Sequence, residues 1–174
     1  MKIDVLGLGS TLLGAKFNGL ISIGVNDVFK FRPVDYLVLI DKPQAFAPDR
    51  LATIKSSTSA RVITHIAEWS HYFDNVELIK LAHVRSETAY LKSDMYPYSI
   101  CSPYVAVIHA YKLGASEIVM HGVDLVNHPK LSEELKLRRI RIDFHNLYVA
   151  LKREGVSLSI GSKESALYNI IPLA

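Results

Sequence analysis

The chain has 174 residues, 49% of them hydrophobic and 21% charged, a composition typical of a single soluble globular domain. The formal net charge of +3 is only mildly basic, so we expect no nucleic-acid partner. Cys101 is the single cysteine, which excludes an internal disulfide and indicates a reducing, cytoplasmic location. Asp4 interrupts the apolar start, and no run reaches the roughly 20 apolar residues of a membrane span, so we expect neither a signal peptide nor a span.

Apolar segments that predict strands alternate with segments that predict helices. Strands are predicted at 2–9, 20–25, 35–41, 60–66, 76–82, 117–123 and 156–161. A helix is predicted at 48–57, which a proline opens, and another at 102–114, which a glycine closes. A third is predicted at 131–154, where apolar residues repeat every three to four positions. The alternation predicts an α/β fold, a three-layer Rossmann-like sandwich with a mostly parallel sheet of about seven strands, in one domain over 1–174.

The segment 83–101 has little periodicity and is long for a connection in a compact domain. It carries Arg85, Tyr96 and Tyr98. One interpretation is a lid over the edge of the sheet, in which these side chains contact a ligand phosphate. The other is a surface excursion with a turn fixed by Pro97.

Small and polar residues follow the first three predicted strands, at the edge where parallel sheets bind ligands. Gly7 and Gly9 allow a tight turn in which N–H groups approach an anion, with Ser10 or Thr11 placed to cap a short helix. Asn26 can donate to and accept from a base or ribose, and Asp41 can accept from sugar hydroxyls or bind Mg²⁺. Asn and Asp are also common turn formers, so each has a structural alternative.

Further candidates lie near the sixth predicted strand. Gly122 and Asp124 follow it, and Asp124 either caps a turn or helix or belongs to a binding site. Ser102 is predicted to be the N-cap of the preceding helix, whose positive end suits a phosphate. His128 lies in the loop beyond Asp124, where it is either a general base or a structural histidine. The third glycine of the dinucleotide fingerprint and the P-loop lysine are missing, which excludes a standard NAD site and a Walker-type NTPase.

The order of these features resembles a known superfamily. Its pieces are "GLGS", the asparagine of "IGVND", "VDYLVLID", the block "SPYVAVIHAYKLGASEIVMHGVD" and the final "ALKREGVSLSIGSKESALYNIIPLA". They are similar to the bacterial lipooligosaccharide sialyltransferases, and to the related domain of archaeal 6-hydroxymethylpterin diphosphokinases and flagellin-modifying motility accessory factors.

The resemblance implies a site for a nucleotide or a nucleotide-sugar, with a CMP-sugar favoured. The family's nucleotide-binding positions fall on Gly7, Gly9, Ser10, Asn26, Asp41, Ser102 and Asp124, with Gly122 beside the last. It implies a CMP-sugar-dependent glycosyltransferase, with His128 and Asp124 as candidate catalytic residues. The alternatives are a diphosphokinase with Mg²⁺ on Asp41 and Asp124, a nucleotide-binding module without catalysis, or a homo-oligomer with a vestigial pocket.

This chain also departs from the family pattern. Leu8 and Ser10 stand where the sialyltransferases have asparagine and proline, and "LVNHP" lacks the tyrosines that hold the donor phosphate. Arg138 falls in the column of the catalytic histidine. These departures favour the binding module, unless His128 replaces the missing base.

Overall fold

The computed structural model of the protein describes residues 1–57, 59–85, 88–126 and 134–174. In these ranges the strands are β1 (Lys2–Leu6), β2 (Ile21–Val25), β3 (Tyr36–Val38), β4 (Arg61–Thr64), β5 (Val76–Leu78), β6 (Lys80–Arg85), β7 (Met95–Tyr98), β8 (Glu117–His121) and β9 (Ser157–Ile160). The α-helices are α1 (Pro48–Lys55), α2 (Ser102–Lys112) and α3 (Glu134–Arg153).

The main sheet has seven parallel strands within the described residues, in the order β5-β4-β3-β2-β1-β8-β9. Each of the seven predicted strands contains one strand of this sheet. The Rossmann-like α/β prediction is therefore confirmed. β1 is near the centre, where Ile3 pairs with Ile21 on one side and with Ile118 on the other. β2 to β5 lie on one side of β1 and β8 and β9 on the other, so the strand order reverses between β1 and β8, which makes this the switch point where such sheets bind ligands.

The two faces of the sheet bury separate apolar clusters. One cluster joins Ile3 of β1 to Ile108 of α2 and Phe144 of α3. The other joins Leu37 of β3 to Ile54 of α1. Each of these side chains is fully buried, which stabilises the fold by about 1.5–3 kcal/mol per side chain. The sheet thus forms the middle of three layers.

α1 and α2 begin where the sequence predicts and end two residues earlier, α3 ends one residue earlier, and the predicted start of α3 at 131 lies outside the described residues. Pro48 opens α1, where its missing N–H costs no intrahelical bond. Gly114 follows α2 with a φ of 85°, as expected of a glycine that ends a helix. Cys101 is the N-cap of α2 and Ser102 is its first residue, so the prediction of Ser102 as the N-cap was wrong by one position. Of the helices that the structure describes, none is long and apolar enough for a membrane crossing.

The described part of segment 83–101 forms a packed unit. β6 and β7 pair in parallel, and a 3-10 helix, Thr88–Lys92, lies between them in sequence. Arg85 binds the buried Asp143 of α3, with Nη2 at 2.8 Å from Oδ2, and Ser99 Oγ donates to the same oxygen at 2.7 Å. These contacts attach the unit to α3, because an unpaired carboxylate at this depth would be costly.

A buried histidine attaches the same unit to α2. Tyr96 Oη lies 2.8 Å from Nδ1 of His109, and both side chains are almost fully buried. Burial first, and then the charges of Arg61 and Lys112, lower the pKa of His109 to about 4. His109 is therefore neutral at physiological pH, as a histidine inside a helix-packed core requires.

We predict that His109 makes the fold sensitive to mild acid. The unfolded chain binds a proton below pH 6.5, whereas folded His109 binds one only near pH 4, so the free energy of unfolding falls between these values. At about 1.4 kcal/mol per pH unit the loss is roughly 3 kcal/mol. Urea unfolding at several pH values should show a shallower slope in His109→Gln, which does not titrate. The exposed His71→Gln is the control, and equal slopes in the wild type and His109→Gln would contradict the prediction.

Candidate functional site

A cavity of about 610 Å³ opens at the carboxyl ends of β1, β2, β3 and β8. Cavities that hold small ligands measure roughly 300–1,000 Å³, so this cavity has the volume of a small-ligand site. All eight residues expected to bind a nucleotide line this cavity: Gly7, Gly9, Ser10, Asn26, Asp41, Ser102, Gly122 and Asp124. The structure thus brings together side chains from four strand ends and from the start of α2.

The loop after β1 lies directly against the loop after β8. Gly7 N donates to His121 O at 2.8 Å, and Gly9 N donates to Gly122 O at 2.7 Å. A Cβ atom on Gly7 would lie 2.4 Å from Gly122 O, so only glycine allows this approach. Both N–H groups therefore serve the fold, and an approach of either to an anion, expected from the sequence, is not available.

Asp124, in the loop after β8, binds the 3-10 helix Ser10–Gly14 that follows β1. Its carboxylate is buried and accepts hydrogen bonds from Thr11 N at 3.1 Å, from the Thr11 hydroxyl and, at 3.5 Å, from Ser10 Oγ. Both carboxylate oxygens are engaged by the loop. Asp124 therefore caps a turn, as one interpretation of the sequence expected, and it also lines the cavity.

Asn26 presents an unsatisfied acceptor at the end of β2. Its φ is 52°, a left-handed conformation that asparagine tolerates better than most residues. Asn26 N donates to Val38 O at 3.3 Å, which ties the end of β2 to β3. Its buried Oδ1 has no hydrogen-bond partner among the described residues. A buried polar atom without a partner costs about 1–3 kcal/mol, a cost that a ligand donor would remove.

Arg50 and Phe46 also line the cavity, although the sequence did not reveal them. The buried Asp27 Oδ1 accepts from Arg50 Nε at 3.0 Å and from Nη2 at 2.6 Å, and the guanidinium lies 5.3 Å from the Phe46 ring centre. Burial alone would raise the pKa of Asp27, but the hydrogen bonds and charge of Arg50, with Lys30, hold it below its usual value. The only sequence signal was the position of Asp27, directly after Asn26 at a strand end.

The opposite wall comes from the helices on the other face of the sheet. Ile100, Cys101 and Ser102 line it at the start of α2, and Lys136 and Ile140 line it from α3. Burial raises the pKa of the Cys101 thiol to about 12. A thiol with so high a pKa is not a reactive nucleophile at neutral pH.

The remaining sequence candidates lie elsewhere. Arg85, Tyr96 and Tyr98 do not line the cavity, and Arg85 and Tyr96 bind Asp143 and His109 instead. His128 lies outside the described residues. The part of the cavity wall that the structure describes contains no histidine. A histidine base is thus not identified among the described lining residues, which do include the carboxylates of Asp41 and Asp124.

A parallel sheet with a cavity at its switch point defines a Rossmann-like architecture. No protein-family model and no curated protein sequence matches the chain. Solved structures do match it. The fold is similar to that of the sialyltransferase CstII from Campylobacter jejuni in complex with cytidine-5'-monophosphate, at 14% identity and a TM-score of 0.57 over 99% of this chain and 84% of that chain.

Two further structures show the same likeness. The sialyltransferase CST-II in complex with a trisaccharide acceptor and CMP is 15% identical, with a TM-score of 0.61 over 100% of this chain and 86% of that chain. The alpha-2,3-sialyltransferase from Campylobacter jejuni in apo form is 13% identical, with a TM-score of 0.53 over 99% and 79%. The sialyltransferase-like resemblance expected from the sequence is therefore confirmed at the level of the fold.

We predict that Gly9→Ala destabilises the protein strongly, whereas Gly14→Ala does not. A Cβ atom on Gly9 would lie 2.2 Å from Asp124 Oδ2, but one on Gly14 would meet nothing within 4 Å. Gly9→Ala should lower the free energy of unfolding by about 2–4 kcal/mol, and Gly14→Ala should change it by less than about 0.5 kcal/mol. Chemical denaturation measures both. Similar effects of the two variants would show that the loop contact does not hold in solution.

Proposed function

We propose that the cavity binds CMP or a CMP-sugar, and that the protein transfers the sugar to an acceptor. The observation that carries this proposal is the convergence of the eight residues on one cavity, where the buried Asn26 Oδ1 lacks a partner. The fold shared with sialyltransferase structures that contain CMP supports the choice of nucleotide.

The two walls of the cavity suggest how such a donor would lie. Asn26 and Asp41 supply an amide and a carboxylate, which suit the polar edge of a base and the hydroxyls of a ribose. The N-terminus of α2, which begins at Ser102, carries the partial positive charge that favours a phosphate, and Lys136 lies on the same side. In sugar transfer these groups would stabilise the charge on the departing CMP.

The proposal gives Asp124 and His128 different roles. Asp124 holds the loop after β1, because the hydroxyls and the N–H of that loop engage both of its oxygens. It thus acts as a positioning residue. We assign the general base to His128, which the sequence places four residues beyond Asp124.

The arrangement does not favour a diphosphokinase that depends on Mg²⁺. Asp41 and Asp124 are the candidate ligands, and both oxygens of Asp124 already accept hydrogen bonds from Ser10 or Thr11. No group of three or more His, Cys, Asp or Glu suited to a metal occurs in the described ranges. The described residues thus supply no cage that would hold a metal ion by the protein alone.

We predict that CMP binds with an affinity that depends on Asn26. Isothermal titration calorimetry should detect CMP binding to the wild type without added metal, and Asn26→Gly should weaken it about 5- to 10-fold through the loss of one hydrogen bond. Glycine keeps the left-handed backbone, so the free protein should keep its melting temperature. Exposed Asn169→Gly is the matched control. Absence of CMP and CMP-sugar binding to folded wild-type protein would refute the proposal.

We predict that His128→Ala abolishes the release of CMP from CMP-sialic acid in the presence of an acceptor, but leaves CMP affinity unchanged. A base acts on the reacting hydroxyl rather than on the nucleotide, and its loss typically costs about 10²–10⁴-fold in rate. His71→Ala is the control. Tight binding by wild-type protein without any turnover would instead identify a binding module. The absence of histidine from the described part of the cavity wall favours this second candidate.

A further inference from the structure

The cavity wall carries a cationic side chain on each face of the sheet. Arg50 enters from α1, and Lys136 enters from α3, which packs with α2 on the opposite face. The phosphate of a mononucleotide bound at the N-terminus of α2 would lie on the side of Lys136, which gives that cation a role. Arg50 therefore remains as a cation without a role in the binding of CMP.

Arg50 is held in a fixed orientation before any ligand arrives. Asp27 accepts from its Nε and Nη2, and the guanidinium lies over the Phe46 ring. Asp27 is only 2% exposed in its side chain, so it is a firm anchor. Asn26 and Asp27 are adjacent in sequence, and the backbone at Asn26 is left-handed. Asn26 lines the cavity, whereas Asp27 does not line it and instead binds Arg50. The position of the guanidinium is thus set by a buried ion pair.

The guanidinium still has donors to offer. It carries five N–H groups in a planar fork, and Asp27 accepts from only two of its nitrogens. In the hydrogen bonds made by the described residues, Nη1 of Arg50 is unused, and the side chain, which lines the cavity, is 36% exposed overall. A fixed fork of this kind matches the two oxygens of a carboxylate or phosphate.

We propose that Arg50 is a specificity-determining residue that recognises a second anionic group on the ligand, either a carboxylate or a further phosphate. The inference rests on the proposed function. Asp41 lines the same cavity with a carboxylate, which only accepts hydrogen bonds. An anionic group that stands beside hydroxyl donors satisfies both side chains. An acidic sugar has this combination, whereas the outer phosphate of a nucleoside diphosphate does not.

The test compares three ligands by isothermal titration calorimetry: CMP, CDP and CMP-sialic acid. Wild-type protein should bind CMP-sialic acid at least about 10-fold more tightly than CMP. Arg50→Gln keeps one donor toward Asp27 but loses the charge. It should weaken CMP-sialic acid about 10- to 100-fold and CMP by less than about 3-fold. If instead CDP binds more tightly than CMP to the wild type, and Arg50→Gln weakens CDP, the second anionic group is a phosphate.

Two controls separate recognition from folding. Arg61→Gln also breaks an arginine–carboxylate pair, 3.1 Å from Glu77, but Arg61 does not line the cavity, so binding should be unchanged. Asp27→Asn combined with Arg50→Gln removes the buried carboxylate that the single variant leaves without its arginine partner, and it should reproduce the selective loss.

The failures of the two proposals are distinguishable. Equal weakening of all three ligands in Arg50→Gln, or no weakening of any, would overturn the role of Arg50. The role of Arg50 would also be overturned if wild-type protein bound CMP at least as tightly as CDP and CMP-sialic acid. In that case the proposal that the cavity binds CMP would still hold. Folded wild-type protein that binds none of the three would overturn the proposed function, and the role of Arg50 with it.

Discussion

The close contact between the loops after β1 and β8 is the constraint on which the cavity depends. Two backbone hydrogen bonds, from Gly7 N and Gly9 N, join the loops, and the carboxylate of Asp124 completes the contact. Gly122, with a φ of 64°, turns the chain so that its carbonyl meets the first loop. Gly7, Gly9 and Gly122 all line the cavity, and the contact leaves no room for a side chain at any of them. The other lining residues come from the strand ends, the helices and the rest of these loops.

The residues Asn26 and Asp27 show how one turn can separate two tasks. Asn26 lines the cavity and its buried Oδ1 has no hydrogen-bond partner among the described residues, whereas the buried Asp27 holds Arg50. The desolvation of Asn26 Oδ1 is uncompensated, which costs free energy of folding. The desolvation of the Asp27 carboxylate is compensated by its ion pair with Arg50. Such a mixture of unsatisfied and satisfied polar groups is typical of a site prepared for a ligand.

Much of the fold could be predicted from the sequence, because the strands of a parallel sheet are short apolar runs and their ends converge by geometry. The positions of Gly7, Asn26 and Asp124 in one cavity followed from this rule. The strand β7 could not be predicted in the same way, since "MYPY" contains a proline and shows no alternation.

Pairings between distant residues were also out of reach. Asp143 lies between Ile140 and Leu147 on the buried stripe of α3, which marks it as unusual, but nothing local identifies Arg85 as its partner. The role of Arg50 was hidden for a similar reason, because α1 is a short polar helix and Asp27 follows an earlier strand. Periodicity indicates which side chains are buried, and it does not indicate which charges meet.

The strand order has a consequence for how the chain folds. β1 pairs with β2 on one side but with β8 on the other, where Lys2 stands opposite Glu117. On a ribosome, β1 to β5 emerge and can associate while one edge of β1 still has no neighbour. Pairing across so long a stretch of chain is slow, and an open apolar edge invites association with other chains. The open edge of β1 is covered only after residues 117–121 arrive, and the sheet and the cavity are complete only when α3 and β9 have followed.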